Sequence, residues 1–266
     1  MSGNFQMTKE ILDESKEIQQ IINSGGKITN GQRAILEIVR EHNTPHNFYD
    51  TKTGKLMWDS RISKSNIESC FKNTFKNYIV QSGNAFQVTQ EAKDNSMRII
   101  DWLYFQQKPF LILQGSFGNG KTSSAKSIMK VIRSNNFKLR SSENDTDAKD
   151  LSMAEFDAAT LFEDLVYKRI DKDKLYTMPV LFIDDLGVEP ACYNHFGTVL
   201  TPIQDLIRAR YDRGLITVIT TNLTAQMIRE SYGERIFDRL KESSERILFM
   251  QDSFRGGEGS AFHKSC

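Results

Sequence analysis

The chain has 266 residues, enough for one full α/β domain and a smaller attachment, since domains run at roughly 100 to 200 residues. Its 35 Lys and Arg side chains nearly balance its 34 Asp and Glu, so the formal net charge of +1 predicts no bulk attraction to nucleic acid or to a membrane surface. Three widely spaced cysteines favour reduced thiols, and no apolar run reaches the roughly 20 residues of a membrane span, which predicts a cytoplasmic protein without a membrane partner.

The first part of the chain carries the patterns of a few small elements. Apolar residues at helical spacing predict a helix over residues 11–22, which a glycine pair should end. Thr29 and Gln32 have the spacing of a capping box and predict the start of a second helix. Turn-forming residues between short apolar ends predict a hairpin over residues 49–58. We interpret residues 1–65 as a small adaptor region, with a packing extension of the main domain as the alternative.

The rest of the chain alternates between helical and strand patterns. Helical spacing dominates residues 67–103, and short apolar runs then recur between further helical stretches. Runs that are apolar on both faces predict a parallel sheet covered by helices on both sides, an α/β fold. The runs lie at residues 110–113, 181–183, 216–220 and 247–250, with a weaker fifth candidate at 153–156. The polar segment 140–150 predicts an exposed loop.

A glycine-rich segment follows the first of these strands. Residues 115–122 fit the pattern G-x-x-x-x-G-K-[ST] and precede an apolar helical stretch, which is the context that a P-loop requires. The glycines allow backbone N–H groups to surround a β-phosphate, Lys121 should reach the β- and γ-phosphates, and the Thr122 hydroxyl should bind Mg²⁺. The alternative is a glycine-rich turn with an idle lysine. The expected nucleotide-binding residues are Gly115, Ser116, Phe117, Gly118, Asn119, Gly120, Lys121, Thr122 and Ser123.

Two carboxylates end the next long apolar strand. Asp184 and Asp185 follow residues 180–183, and open α/β sheets bind ligands at the carboxyl ends of their strands. We expect Asp184 to hold the Mg²⁺ ion through its hydration shell and Asp185 to position the attacking water. Taken alone, such a pair is more often a turn or a helix cap, but a P-loop in the same chain favours the catalytic role.

Two later segments add polar candidates. Asn222 ends another strand and could bridge the γ-phosphate or the water to the sheet, with a helix N-cap as the alternative. Arg235 and Arg239 stand four positions apart, hence on one helical face. From the residues alone, a solvated face with intrachain salt bridges is the simpler interpretation of these arginines.

Together these segments resemble AAA+ ATPases, and more narrowly the bacterial helicase loaders of the DnaC/DnaI type and the related IstB transposition ATPases. The resemblance covers about residues 70–256. Beyond the two phosphate-site motifs it rests on the segments 75–78, 183–187, 210–213, 220–223, 233–240 and 252–255.

The resemblance implies an AAA+ ATPase domain over residues 66–256 without a C-terminal helical lid, followed by a tail at 257–266. It implies ATP and Mg²⁺ as cofactors, Asn222 as the sensor-1 residue and Arg239 as the arginine finger, with Arg235 beside it. It further implies self-association into an ATP-dependent ring or filament. Asp185 stands where many AAA+ proteins have Glu, which predicts slow hydrolysis.

The resemblance implies a DNA-replication factor that loads a replicative DNA helicase onto single-stranded DNA. The alternative is an IstB-like ATPase that assists a transposase on duplex DNA, and a small-molecule kinase is a third possibility from another class. A cationic segment with tyrosines offers charges and stacking faces for a single strand, although interleaved aspartates fit a solvated helix end equally well. Its residues are Tyr167, Lys168, Arg169, Lys172, Lys174 and Tyr176.

Overall fold

The computed structural model describes residues 9–43, 46–83, 89–140 and 149–250. The chain divides into two compact units, Met1–His46 and Asn47–Cys266. The first unit contains helices α1 (Lys9–Asn23) and α2 (Asn30–Asn43), which pack against each other. The predicted capping box precedes α2, because the Thr29 N–H donates to Gln32 Oε1 at 2.9 Å and the Gln32 N–H donates to Thr29 Oγ1 at 3.2 Å.

The second unit combines helices and strands in the predicted α/β alternation. Its helices are α3 (Lys64–Gln81), α4 (Gln90–Phe105), α5 (Lys121–Ser134), α6 (Ala158–Val166), α7 (Lys172–Thr177), α8 (Pro202–Asp212), α9 (Ala225–Tyr232) and α10 (Glu234–Ser243). Its strands are β1 (Phe48–Asp50), β2 (Lys55–Met57), β3 (Phe110–Gly115), β4 (Lys138–Arg140), β5 (Met153–Asp157), β6 (Val180–Leu186), β7 (Tyr193–His195), β8 (Thr198–Leu200), β9 (Ile216–Thr221) and β10 (Ser244–Phe249). Within the described ranges, no helix is long and apolar enough to cross a bilayer.

Five parallel strands form the main sheet in the order β10-β3-β9-β6-β5. Four of them are the predicted apolar runs, and the weaker fifth candidate is β5. The P-loop segment joins β3 to α5, between neighbours β10 and β9, and the paired carboxylates end β6. The predicted P-loop α/β fold with helices on both faces of a parallel sheet is therefore confirmed.

The alternation of side chains along each strand explains why the runs are apolar throughout. On β3, Leu111 and Leu113 belong to one buried cluster together with residues of α3, α4 and α5. Phe110 and Ile112 belong to the other cluster, which contains residues of α6, α8, α9 and α10. Strands β6 and β9 likewise have residues in both clusters, so the three central strands have no polar face to show in the sequence.

The boundary expected at residue 65 differs from the structure, which divides the chain after His46. The predicted hairpin exists as β1 and β2, but β1 also pairs in parallel with β4, where Phe48 lies opposite Lys138. Tyr49 and Leu56 are buried in the larger core cluster. The hairpin is thus part of the main unit, which was the alternative interpretation for this segment.

Three short strands were not predicted. Strand β4 lies at the start of the segment 140–150 that was expected to be a loop, of which residues 141–148 lie outside the described residues. Strands β7 and β8 pair as an antiparallel hairpin after β6. The tail at 257–266 and the motif 252–255 also lie outside the described residues.

Strand β10 is an edge strand of the main sheet, and side chains cover its outward backbone. The carbonyls of Ser244, Arg246 and Leu248 point away from β3, as the period of two along a strand requires. The Lys108 ammonium donates to the Ser244 carbonyl at 3.1 Å, and the Arg98 guanidinium donates to the Arg246 carbonyl at 2.8 Å. The Asn95 amide donates to the Leu248 carbonyl at 2.9 Å. Every second carbonyl of this edge is therefore already hydrogen-bonded.

Arg210 of α8 is fully buried, with 0% of its surface exposed. Its guanidinium donates to the carbonyls of Leu175, Met178 and Ile216 and to the Thr217 hydroxyl, at 2.6 to 2.9 Å. Burial lowers the pKa of Arg210 to about 9, so the group remains charged at neutral pH. The conspicuous arginine of segment 210–213 therefore joins α7, α8 and β9 at the base of the sheet.

Replacing Arg210 with methionine is expected to lower the free energy of unfolding by about 3 kcal/mol or more, because several buried oxygens lose their donor at once and each costs about 1–3 kcal/mol. Urea unfolding curves measure this change. The control is Arg213→Met, since Arg213 is exposed and, among the described residues, its guanidinium donates to the Ala209 carbonyl of the preceding helix. Equal unfolding midpoints for the two variants would contradict a structural role for Arg210.

Candidate functional site

The P-loop closes around the ammonium group of Lys121. Lys121 Nζ donates to the carbonyls of Gly115 and Ser116 at 2.8 and 2.5 Å and to Asn119 Oδ1 at 3.2 Å. The Asn119 amide donates to the Phe249 carbonyl at 2.6 Å, and a Cβ on Gly115 would lie 2.1 Å from the same oxygen. Only glycine at position 115 therefore allows the loop to pack this closely against the end of β10.

The N-terminus of α5 opens directly from this loop. No side chain forms a capping hydrogen bond there, and the N-cap position is a glycine, Gly120. The first backbone N–H groups of a helix lack intrahelical partners, and the helix dipole places partial positive charge at the same end. Together with Lys121, this end of α5 has the donors and the charge that a phosphate group requires.

The end of β6 contains a β-bulge opposite β9. Ile183 pairs with Ile219 and Leu186 pairs with Thr221, so Asp184 and Asp185 together face the single residue Thr220. The Thr220 hydroxyl donates to Asp184 Oδ1 at 2.5 Å and accepts from the Asp185 N–H at 2.8 Å. One side chain of β9 thus fixes both carboxylate residues.

The bulge brings the two motifs into contact. Thr122 Oγ1, in the first turn of α5, donates to the same Asp184 Oδ1 at 2.9 Å, although the two residues are 62 positions apart. Asp185 has a positive φ of 55°, a conformation that Asp and Asn adopt more readily than other residues with a side chain. The two neighbouring carboxylates therefore have different surroundings. Asp184 accepts a hydrogen bond from Thr122, whereas Asp185 lines the cavity described next.

An open cavity lies beside the P-loop. It is lined by residues 117–123, by Asp185, and by Ile79 and Ser82 of α3. The predicted residues Gly115 and Ser116 contribute carbonyls to Lys121 rather than surface to this cavity. The structure therefore gathers the P-loop residues and one predicted catalytic carboxylate around one space, with apolar and hydroxyl groups of α3 at another side.

Asn222 follows β9, next to the bulge. Its Oδ1 atom is buried and has no hydrogen-bond partner within the described residues. The neighbouring Leu223 is fixed by Gln114, whose Nε2 donates to the Leu223 carbonyl at 2.7 Å. Thr224, rather than Asn222, caps helix α9, because its hydroxyl accepts from the Met227 N–H at 3.2 Å. The N-cap alternative for Asn222 is therefore wrong.

The two arginines of α10 differ in their surroundings. Arg235 is exposed, whereas Arg239 is partly buried. The Arg239 guanidinium lies over the Tyr211 ring of α8, 5.3 Å from its centroid, and 3.9 Å from Asp212 Oδ1. Neither arginine is among the described residues that line the P-loop cavity. The structure therefore places Arg239 on the α8–α10 face of its own unit.

One cation of the segment around α7, Arg169, pairs with its own neighbours. Arg169 lies 3.6 Å from carboxylate oxygens of both Glu163 and Asp164, and its guanidinium stacks over the Tyr167 ring. The Asp171 side chain caps α7, while Lys172 and Lys174 are exposed. Arg169 thus has local acidic partners, and the exposed lysines of α7 remain the candidates for contact with a phosphate backbone.

Several residues that shape the site were not predicted. Thr220 lies in the predicted run 216–220 and in the segment 220–223, and Gln114 directly follows the run 110–113, but these patterns assign neither side chain a role. Their functions depend on the register between strands, since each reaches across to a neighbouring strand or to the loop beyond it. A polar residue at the end of an otherwise apolar strand was the available signal.

No protein-family model and no curated protein matches the sequence. Among solved structures, the chain is similar to the DnaC helicase loader at 18% identity, with a TM-score of 0.46, over 67% of this chain and 98% of that one. It is similar to DnaI at 20% identity, with a TM-score of 0.46, over 64% and 88%. AMPPCP-bound DnaA from Aquifex aeolicus matches at 13% identity, with a TM-score of 0.46, over 66% and 50%. DnaC and DnaI are the loaders that the motifs resemble.

Proposed function

We propose that this protein is an Mg²⁺-dependent ATPase of DNA replication that loads a replicative helicase onto single-stranded DNA. The observation that carries the ATPase assignment is the contact between Thr122 and Asp184 at the mouth of the P-loop, with Asp185 directed to the same cavity. An idle glycine-rich turn needs no such contact. The replication assignment rests on the motifs that resemble the helicase loaders.

The donor set fits a magnesium ion. The Thr122 hydroxyl and the Asp184 carboxylate are hard oxygen donors 2.9 Å apart, and Mg²⁺ prefers one or two such protein ligands together with phosphate oxygens and water. The Thr220 hydroxyl donates to the same oxygen of Asp184, which fixes the carboxylate before any ion binds. When bound, the ion would neutralise the negative charge that develops on the phosphate oxygens.

The remaining residues divide the work of hydrolysis. Lys121 and the first turn of α5 bind the β- and γ-phosphates, for which Lys121 exchanges its bonds to the loop carbonyls. Asp185 accepts a proton from the attacking water, or holds that water in line with the γ-phosphate. The buried Asn222 Oδ1 is an acceptor close to the end of β9 that can orient the same water.

Completion of the site requires a second subunit in this proposal. Arg239 is held against α8 by Tyr211 and Asp212, on a different surface from the cavity that its own P-loop forms. A neighbour in a head-to-tail ring or filament can present this arginine to the γ-phosphate, where such a finger stabilises the charge of the transition state. Self-association then controls the rate of hydrolysis.

Binding of single-stranded DNA is expected to be weak without nucleotide and stronger with ATP, because a chain with a net charge of +1 needs several aligned subunits to gather enough cations. Titration of fluorescent oligonucleotides against salt measures this, and log affinity should fall linearly with log salt concentration. Replacing both Lys172 and Lys174 with alanine should lower the slope by about one for each phosphate contact removed.

The control for this titration is Lys130→Ala, which removes an exposed lysine from α5 instead. Its slope should equal that of the parent. Tight binding to duplex DNA in long ATP-dependent filaments would favour the transposase-assisting alternative over helicase loading. Co-purification of the full chain with a hexameric helicase would support loading, and failure to bind any helicase of the host would contradict it.

A further inference from the structure

Glu189 is a buried carboxylate close to the site, with 7% of its surface exposed. One of its oxygens accepts from the Gly187 N–H at 2.9 Å, and the other accepts from the Tyr232 hydroxyl. Within the described residues, no Lys or Arg forms a salt bridge with it. Burial of a carboxylate without a cation lowers the stability of a protein. The two hydrogen bonds therefore indicate that Glu189 holds Gly187 and Tyr232 in place.

The first of these bonds closes the turn that follows Asp185. The Val188 N–H donates to the Asp185 carbonyl at 3.2 Å, and Glu189 then bonds back to Gly187. Gly187 has a φ of 106°, and a Cβ there would lie 2.4 Å from Leu223 Cδ1. The turn is therefore packed against the residue after Asn222, and its two ends are fixed by Thr220 and by Glu189.

The second bond leads to the helices beyond Asn222. Tyr232 is the last residue of α9 and is 4% exposed. Burial, and then the charge of Glu189, raise the pKa of Tyr232, so the phenol keeps its proton and donates it. The Arg229 guanidinium lies 4.2 Å from the centroid of the Phe237 ring and 2.6 Å from Glu234 Oε2. These contacts join α9 to α10, and Tyr232 joins α9 to the Asp185 turn.

We propose that Glu189 and Tyr232 are positioning residues that hold the Asp185 turn in its hydrolytic geometry and couple it to the α9–α10 pair, which carries Arg235 and Arg239. This inference rests on the proposed ATPase function. A neighbouring subunit that contacts the arginines of α10 would shift this helix. The shift would reach Asp185 through the phenol of Tyr232 and the carboxylate of Glu189. Neither residue is among the described residues that line the P-loop cavity, so we expect them to serve the rate of hydrolysis rather than the binding of ATP.

The test is Tyr232→Phe in the full chain, which removes one hydroxyl and keeps the ring. The rate constant kcat at saturating ATP should fall about 10- to 100-fold, the loss that a small displacement of a catalytic group produces. The dissociation constant of ATP should stay within about twofold, because the P-loop contacts are unchanged. The matched control is Tyr49→Phe, since the Tyr49 hydroxyl is buried without a hydrogen-bond partner within the described residues.

A second variant, Glu189→Met, removes both acceptor oxygens and covers the case in which Tyr232→Phe does not fold. It should show a loss of kcat without loss of ATP binding. The double variant should fall no further than the less active single variant, because both changes break the same connection. Parent kcat in both single variants, or equal losses of kcat and ATP affinity, would overturn the inference while the parent still hydrolyses ATP. A parent without ATPase activity would overturn the proposed function and this inference with it.

Discussion

Replacing Lys121 with alanine is expected to weaken ATP binding about 10- to 100-fold, because the ammonium forms charge-assisted hydrogen bonds that are worth roughly 1.5–3 kcal/mol. The substitution also removes the donor that holds the carbonyls of Gly115 and Ser116, so the loop loses its closed form. Isothermal titration with ATP and Mg²⁺ measures the loss. Lys130→Ala, an exposed lysine of the same helix, is the control. Unchanged binding and hydrolysis in Lys121→Ala would refute the assignment of the P-loop.

The companion variant is Asp185→Asn, which should keep ATP affinity and lower the hydrolysis rate by a factor on the order of 10² to 10⁴, the contribution of a positioned general base. Asparagine is preferred to alanine because the position has a φ of 55°, which Asn adopts at little cost. The pair of variants separates binding from chemistry. Equal loss of both functions in Asp185→Asn would show that this residue holds the fold of the site instead.

Hydrolysis between subunits is expected to give the second large effect. Arg239→Ala should bind ATP with parent affinity yet hydrolyse it roughly 10³- to 10⁵-fold more slowly, the range that arginine fingers reach. Arg235→Ala, on the same face of α10, is the comparison that decides which arginine acts. Arg239 is held by Tyr211 and Asp212, whereas Arg235 is exposed, and we expect the held side chain to be the finger.

A mixing experiment tests the direction of this contact. In a mixed oligomer, the Arg239→Ala subunit contributes an intact P-loop cavity. The Asp185→Asn subunit contributes an intact arginine finger and still binds the ATP that assembly requires. In an equal mixture, about one head-to-tail interface in four combines the two intact halves, so a corresponding part of the activity should return. If mixed oligomers form and remain as inactive as their components, Arg239 acts within its own subunit or only structurally.

Much of the fold follows from the sequence because the three central strands of the main sheet, β3, β6 and β9, are buried on both faces. Leu111 and Ile112 lie in different cores, so neither side of β3 can carry polar residues, and the run is conspicuous. The phosphate site could also be predicted from the sequence, because the P-loop pattern fixes the positions of Lys121 and Thr122 relative to a strand and a helix. Local patterns of this kind need no knowledge of tertiary structure.

The features that were missed depend on contacts between distant segments. Thr220 is a β-former in sequence, and only the bulge of β6 makes it the shared partner of both aspartates. Glu189 and Tyr232 are 43 positions apart, and nothing local links them. The pairing of the β1–β2 hairpin with the main unit was missed for the same reason, since β1 reaches a parallel partner at β4. Strand β8 is exposed along its length, so it has no alternating pattern to reveal it, and Val199 is 62% exposed.

The covered edge of β10 has a consequence for assembly. A strand from another molecule could extend the sheet there only by displacing Lys108, Arg98 and Asn95 from the carbonyls that they already occupy, so it would gain few new hydrogen bonds. Copies of this protein should therefore meet through side-chain surfaces, not through a shared sheet at this edge. Such contacts can form and separate without rearranging any backbone ladder, which suits the ATP-dependent assembly that we propose.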